Sequence, residues 1–481
     1  MTTTTRAAFR RTLAAALALG AAATSAVAQT PLDRSHRPVA PPAAPFRLPT
    51  VEMRTLSNGI SVAVIQNHQI PVVSVRTVID AGGLNDPDGK AGLSALVAAM
   101  LNEGTTTRNA DQLAEAFADL GNPVTPQGFT TITRNLDRSI ELLGDMLMHP
   151  AFPQVALDRS KANTVANLRR LREQPGFLAD HVFNSVVFGA SHPFARTPSE
   201  QSVGGITRED LVAFHSDWYR PQNVKLVVVG DVTPDVAAQK LERVLGAWPA
   251  GGRKASFDVP APRAAAPTTI YLLDRPNSPQ STVVVGTVGP GRDTPDFYAL
   301  DAMNTVYGGL SGSRLNSNLR EKHAFTYGAN SQLVWRRPPQ PGTLRSSSDI
   351  VAAKTDSALV EWMSELRGIR GARPIAPAEL SFAKDNRTAG LPLRFETVSQ
   401  MAQAVSDLIQ NGVPTDFYNT YSERIRSLSG DDLTAAATKY WDPDHAAIVV
   451  VGDRKVVEPG LRALHLAPVV VVDENGNPVE S

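Results

Sequence analysis

The chain has no cysteine among its 481 residues. Disulfides, thiolate nucleophiles and cysteine-based zinc sites are therefore excluded. It has no charge excess either, since 47 Lys and Arg stand against 47 Asp and Glu. A nucleic-acid-binding chain ordinarily carries a basic surplus, so that class of partner is not expected. Neither the G-x-x-x-x-G-K-[ST] phosphate loop nor a dinucleotide fingerprint occurs. The nucleophile elbow G-x-S-x-G is also missing. Its nearest approach is Gly309-Leu310-Ser311-Gly312-Ser313, where the second glycine comes one place early. No two of the nine histidines stand four residues apart, so no helix offers a metal two imidazoles on one face. Past the N-terminus, no stretch is long and apolar enough to cross a bilayer.

What is there begins with an export pattern. Arg6, Arg10 and Arg11 make a positive start, Leu13 to Ala23 is a short apolar run, and Ala26-Val27-Ala28 fits a cleavage site. The reading is a signal peptide over 1–28 and an extended, proline-rich leader over 29–49, with the mature chain starting at Gln29. The style of the signal points to a bacterial periplasm. An uncleaved membrane anchor is the alternative. Hydrophobic content of 42% and charged content of 20% suit an ordinary globular protein.

The main organisational feature is an internal repeat. Trp218-Tyr219-Arg220-Pro221 precedes Leu226-Val227-Val228-Val229-Gly230-Asp231. Tyr440-Trp441-Asp442-Pro443 precedes Ile448-Val449-Val450-Val451-Gly452-Asp453 at one constant offset. Each copy reads as a helix, a proline-stopped turn and a buried strand ending in Gly-Asp. The chain is therefore two homologous halves, residues 50–250 and 269–466. Residues 251–268, rich in Ala, Pro, Gly and basic residues, read as a linker or as an ordered strap. Residues 467–481 read as a tail. In the first half, helices are expected at Lys90–Leu101 and Asp158–Glu173 and a strand at Val72–Ile79. In the second, strands are expected at Ile270–Leu273, Ser281–Val288 and Ser331–Trp335, with a helix at Ser313–Lys322. Hairpins mixed with helices give an α+β class. Each half is expected to be a mixed, largely antiparallel sheet covered on one face by helices.

One stretch carries a resemblance: Gly92-Leu93-Ser94-Ala95-Leu96-Val97-Ala98-Ala99-Met100-Leu101-Asn102-Glu103-Gly104-Thr105. It resembles the zinc helix of the pitrilysin/insulinase peptidases, the inverted zincins with an H-x-x-E-H signature. Gly-Leu before, Met-Leu, an acidic residue and Gly-Thr after are all in place. The resemblance would put the two histidine ligands at Ala95 and Ala99 and the general base at Ala98. Its third ligand, a glutamate about eight residues before a proline on a long helix, falls at Asn167, counting back from Pro175. The three alanines can neither ligate zinc nor take a proton from bound water, and the neutral amide of Asn167 is a poor zinc ligand. The alanines read as helix-packing choices, and no metal or cofactor is expected in this chain.

A second stretch extends the resemblance. Gly308-Gly309-Leu310-Ser311-Gly312-Ser313-Arg314-Leu315 leads to Leu319-Arg320-Glu321 and Tyr327-Gly328. In the family this signature carries an Arg/Tyr pair that reaches the zinc site across a closed chamber. The resemblance implies that role for Arg320 and Tyr327, both able to donate hydrogen bonds to a carbonyl and its oxyanion. It implies substrate contact for Gly308, Gly309 and Ser311. Taken together, it implies a clam-shell of metallohydrolase halves. The chain would be the metal-free subunit of a heterodimer with a homologous, zinc-bearing partner that acts on peptides. Two other readings stand beside this: a catalytically inert scaffold, and a homodimeric peptide-binding protein.

Overall fold

The computed structural model describes residues 47–479. The expected signal peptide, and the leader up to residue 46, lie outside the described residues. Among the described residues no helix is long and apolar enough to cross a membrane.

The repeat takes shape as two sheets of matching topology. The first contains β1 (Glu52–Thr55), β2 (Ser61–Gln66), β3 (Val72–Ile79), β4 (Gly128–Ile132) and β5 (Val224–Gly230), in the order β1-β2-β5-β3-β4. The second contains β6 (Thr269–Asp274), β7 (Gln280–Gly289), β8 (Thr326–Val334), β9 (Gly342–Val351), β10 (Ala447–Gly452) and β11 (Val469–Val472), in the order β11-β6-β10-β7-β9-β8. The parallel pair β2/β5 corresponds to β6/β10. The antiparallel run β5-β3-β4 corresponds to β10-β7-β9. The repeated Gly-Asp ends have one physical cause. A Cβ on Gly230 would come 2.1 Å from the Val72 carbonyl oxygen, and one on Gly452 would come 2.6 Å from Ser281 Oγ. Only glycine lets the neighbouring strand approach there.

Three expectations need correction. The tail at 467–481 is not a tail throughout, because Val469–Val472 pair in parallel with β6 as an edge strand. Four consecutive valines extend readily into a sheet that has an open edge. The Ser313–Lys322 helix is a single turn at Arg314–Asn316 followed by a π-helical turn over Ser317–Lys322. The sheets are also covered on both faces, not one.

Strand alternation explains the third correction. Val62, Val64, Val73, Val75, Leu226 and Val228 pack against helices of the first half. On the opposite face, Ala63, Ile65, Val227 and Val229 join a core with Val398, Met401, Ala402 and Val405. Those four lie on helix Val398–Gln410, which belongs to the second half. The exchange is reciprocal. Leu178, Ala179, Val182, Phe183 and Val186 on helix Pro175–Phe188 of the first half pack on Leu273, Val284, Val449 and Val451 of the second sheet. Both helices start on strong local signals: Pro175 at the first position of one, and a Thr397/Gln400 capping box on the other. Polar ties reinforce the crossing. Arg345 on β9 reaches Asp180 at 2.5 Å, and Arg76 on β3 donates to Ser399 Oγ at 3.0 Å.

Residues 251–268 form no regular element up to Pro267 and are tied to the first half at intervals. Arg253 N donates to the Asp217 carbonyl, Ala255 N to Asn223 Oδ1, and Arg263 N to the Phe188 carbonyl.

Phe183 is fully buried, and its ring lies over Gly286, where a Cβ would come 2.9 Å from Phe183 Cζ. Phe183→Ala should cost about 3–5 kcal/mol of unfolding free energy. Urea unfolding followed through the buried Trp248 of the first half and Trp362 and Trp441 of the second should register that loss in one transition. Two separated transitions would mean that the halves fold independently of the exchanged helix.

Candidate functional site

Helix Leu93–Met100 buries Leu93, Leu96, Val97 and Met100. Its N-terminus is held by the buried Asp86, whose carboxylate accepts from Gly92 N and Ser94 N, both at 2.8 Å. A carboxylate satisfies orphan amides there and suits the helix dipole. After the helix, Gly104 takes φ 126°. Thr105 Oγ1 then donates to the buried Asp145 at 2.8 Å, beside Thr107 at 2.7 Å and Arg108 at 2.6 Å. Every frame residue around the missing ligands thus has a structural partner that involves no metal.

The packing expectation for the alanines is corrected here. Ala95 and Ala99 are exposed and Ala98 is half-buried. Helical periodicity puts them on the face opposite the core, so their methyls meet solvent. Asn167, on helix Gln154–Arg172, is exposed as well, and its Oδ1 accepts from Arg170 at 2.6 Å. Zinc does not fit these residues. Three methyls and one amide already engaged by a guanidinium offer no tetrahedral ligand set, and Arg170 adds a repelling positive charge. Among the described residues no group of three or more His, Asp or Glu side chains could hold a metal ion.

The second-half residues form one connected neighbourhood. Arg320 lies on the π-helical turn with its side chain about half exposed, and its Nε is 3.4 Å from Glu321. The turn is fixed from beneath by Asn318, whose amide donates to Glu361 at 3.0 Å and Glu365 at 2.7 Å. The chain then reverses tightly, with Ala324 at φ 51° donating to the Arg320 carbonyl at 3.0 Å. Tyr327 follows at the start of edge strand β8, on a bulge between Thr326 and Ala329. Bulges re-aim a side chain away from the regular pleat. Tyr327 is 89% exposed. Two hydroxyls hold the bulge: Gly328 N donates to Thr326 Oγ1 at 3.0 Å, and Ser348 Oγ donates to the Gly328 carbonyl at 2.9 Å.

The glycine turn joins the same neighbourhood through Asn316. Its Nδ2 donates to the Ser311 carbonyl at 2.6 Å, and its Oδ1 accepts from Ala329 N at 3.1 Å. Gly308 is buried, and a Cβ on it would come 2.5 Å from Ser331 Cβ, so its glycine serves close packing against β8. Gly309 and Ser311 are exposed. Arg314 is buried and forms a fork with Glu379, both contacts at 2.6 Å. Burial alone would raise the Glu379 carboxyl, but Arg314 and the Ala376 amide outweigh it and hold it below the usual range. Sequence reasoning missed Asn316, Asn318 and Ser348. The one signal available was an asparagine directly after the Ser-Arg-Leu run.

Comparison with known proteins bears on both stretches. Residues 61–188 match the family described as Insulinase (Peptidase family M16), and residues 205–387 match the Peptidase M16 inactive domain. Among curated relatives, the chain is 24% identical over 425 residues to zinc protease PqqE of Helicobacter pylori, spanning 84% of this chain and 93% of that one. It is also 24% identical over 401 residues to the non-peptidase homolog YmxG of Helicobacter pylori, spanning 81% and 91%. Among solved structures, a peptidase M16 inactive domain from Pseudomonas fluorescens superimposes with a TM-score of 0.74 at 24% identity, covering 84% of this chain and 98% of that one.

The exposure of the degenerate face makes it open to rebuilding. Combining Ala95→His, Ala98→Glu, Ala99→His and Asn167→Glu should leave the chain folded and give it about one zinc ion per chain. Metal analysis after gel filtration would read this, with the parent chain retaining none. A folded quadruple variant that takes up no zinc would show that Asn167 does not face the alanines.

Proposed function

Since this chain belongs to the insulinase-type peptidase family M16, we propose that it is the metal-free subunit of a two-chain peptidase. The observation that carries the reading is a division within the chain. The zinc positions expose methyls and an amide, whereas Tyr327 projects, 89% exposed, from a bulge pinned by two hydroxyls. A phenol held this way, with Arg320 on the adjoining turn, suits donation of hydrogen bonds to a substrate carbonyl in another chain's site. The partner is a homologous subunit that carries H-x-x-E-H and its zinc. The substrate is an extended peptide, held by strand addition to a sheet edge. The export pattern at the N-terminus supports a periplasmic setting.

A second reading is a catalytically inert peptide-binding or scaffold protein, with Arg320 and Tyr327 as relics. The non-peptidase name of a relative aligned over most of its length favours it.

Reconstitution separates the two. The mature chain alone should cleave no peptide in a quenched-fluorescence library. Mixed with an H-x-x-E-H relative from the same source, it should support cleavage that falls by about tenfold or more with Tyr327→Phe or Arg320→Ala. Both positions are exposed, so the variants should unfold within about 0.5 kcal/mol of the parent. A pair that never associates, or whose activity ignores both substitutions, would leave the scaffold reading in place.

A further inference from the structure

Away from both stretches, a cleft of about 410 Å³ opens where the halves and the strap meet. Its walls come from the segment after β3, from Phe194, from the strap at Phe257, and from the loop that joins β8 to β9. The charges on these walls do not cancel. Asp80 is already matched by Lys225 at 2.5 Å and by Arg337 at 3.3 Å, and the Arg337 guanidinium sits 3.9 Å from the Phe257 ring centre. Arg336 has no carboxylate within ion-pairing distance among the described residues. It donates one hydrogen bond to the Pro341 carbonyl at 3.0 Å and lies 4.0 Å from the centre of the Phe194 ring. Burial, helped by the nearby Arg345 charge, lowers the Arg336 guanidinium to about 10. A cation kept desolvated without a counter-ion is a costly arrangement.

Gln340 adds a second, independent observation. Its residue is 6% exposed, and its buried Nε2 has no acceptor among the described residues. Buried amides nearly always find a partner. An arginine without a carboxylate partner and an amide without an acceptor therefore line one cleft with two aromatic rings. A guanidinium and an amide lining one cleft can each donate to a carboxylate oxygen, and the rings of Phe194 and Phe257 offer apolar surface for the body that carries it.

We infer that this cleft binds a small organic carboxylate with an apolar or aromatic body, recognised by Arg336 and Gln340. The carboxylate can come from a free organic acid or from the C-terminus of a peptide. The inference is independent of any zinc-bearing partner and is tested on the purified chain alone.

The probes are N-acetyl-phenylalanine, its amide, and a short peptide ending in phenylalanine, followed by calorimetry. The two acids should bind with a Kd of about 1 mM or tighter, and the amide about tenfold more weakly or worse. A tighter peptide identifies a chain terminus as the source, and a tighter free acid identifies a small molecule. Arg336→Met should weaken the acids about tenfold or more and leave the amide unchanged. Because that variant could disturb packing, Gly83→Asp gives a second test. A Cβ at Gly83 meets nothing within 4 Å, so a carboxylate there should be tolerated and should repel the acids alone. Equal binding of acid and amide, unchanged affinity in both variants, or no binding of either acid at about 10 mM would overturn the inference.

Discussion

Both sheets are apolar on both faces, and this constraint governs the rest of the molecule. A two-faced sheet needs a layer on each side. Each half supplies helices for only one face of its own sheet. The other face is closed by a helix from the opposite half, Val398–Gln410 in one direction and Pro175–Phe188 in the other. Neither half can therefore complete its core without its homologue. The strap at 251–268 is bonded along the first half, and a cleft opens where the two halves and the strap meet.

The ligand-free outer face of helix Leu93–Met100 is intelligible against that scaffold. Asp86 holds the start of helix Leu93–Met100, and Asp145 holds the turn that follows it. These contacts are made among protein groups, so the helix keeps its place whether or not its outer face carries ligands. Alanine on that face costs the fold little, because alanine is the best helix former and Ala95 and Ala99 reach into solvent. Chemistry can be removed from such a face without penalty to packing. The second-half neighbourhood is different. Asn316, Asn318, Thr326 and Ser348 all spend their polar groups on fixing two adjacent turns. That is a dense set of polar contacts around one exposed tyrosine.

The parts of the fold that were legible in the sequence are those with local or periodic causes. The repeat at Pro221/Pro443 and Gly230/Gly452 announced two matching sheets, and the apolar runs at Leu226 and Ile448 lie at their centres. Strand β9 escaped notice because its sequence, Gly342-Thr-Leu-Arg-Ser-Ser-Ser-Asp-Ile-Val, lacks apolar alternation. Its serines sit inside the sheet only because Ser346 Oγ finds the Val285 carbonyl and the Trp362 indole, and Ser348 Oγ finds the bulge. Strand β11 escaped because four valines say nothing about which edge they will join. The π-helical turn under Arg320 carries no local signal in the sequence, and the two glutamates that accept from Asn318 within it lie far along the chain.

The sequence by itself determined the two-fold organisation, the absence of metal-ligating side chains at Ala95, Ala98 and Ala99, and the presence of Arg320 and Tyr327 in one stretch. Those are matters of residue identity and spacing. Only the tertiary structure decided that the alanines face solvent, that Tyr327 stands on a pinned bulge, and that Arg336, without a carboxylate partner, shares one cleft with the unpartnered Gln340 amide. The physical reason is common to all three. Exposure and hydrogen-bond satisfaction depend on what the other half places nearby, and the exchanged helices bring together residues hundreds of positions apart.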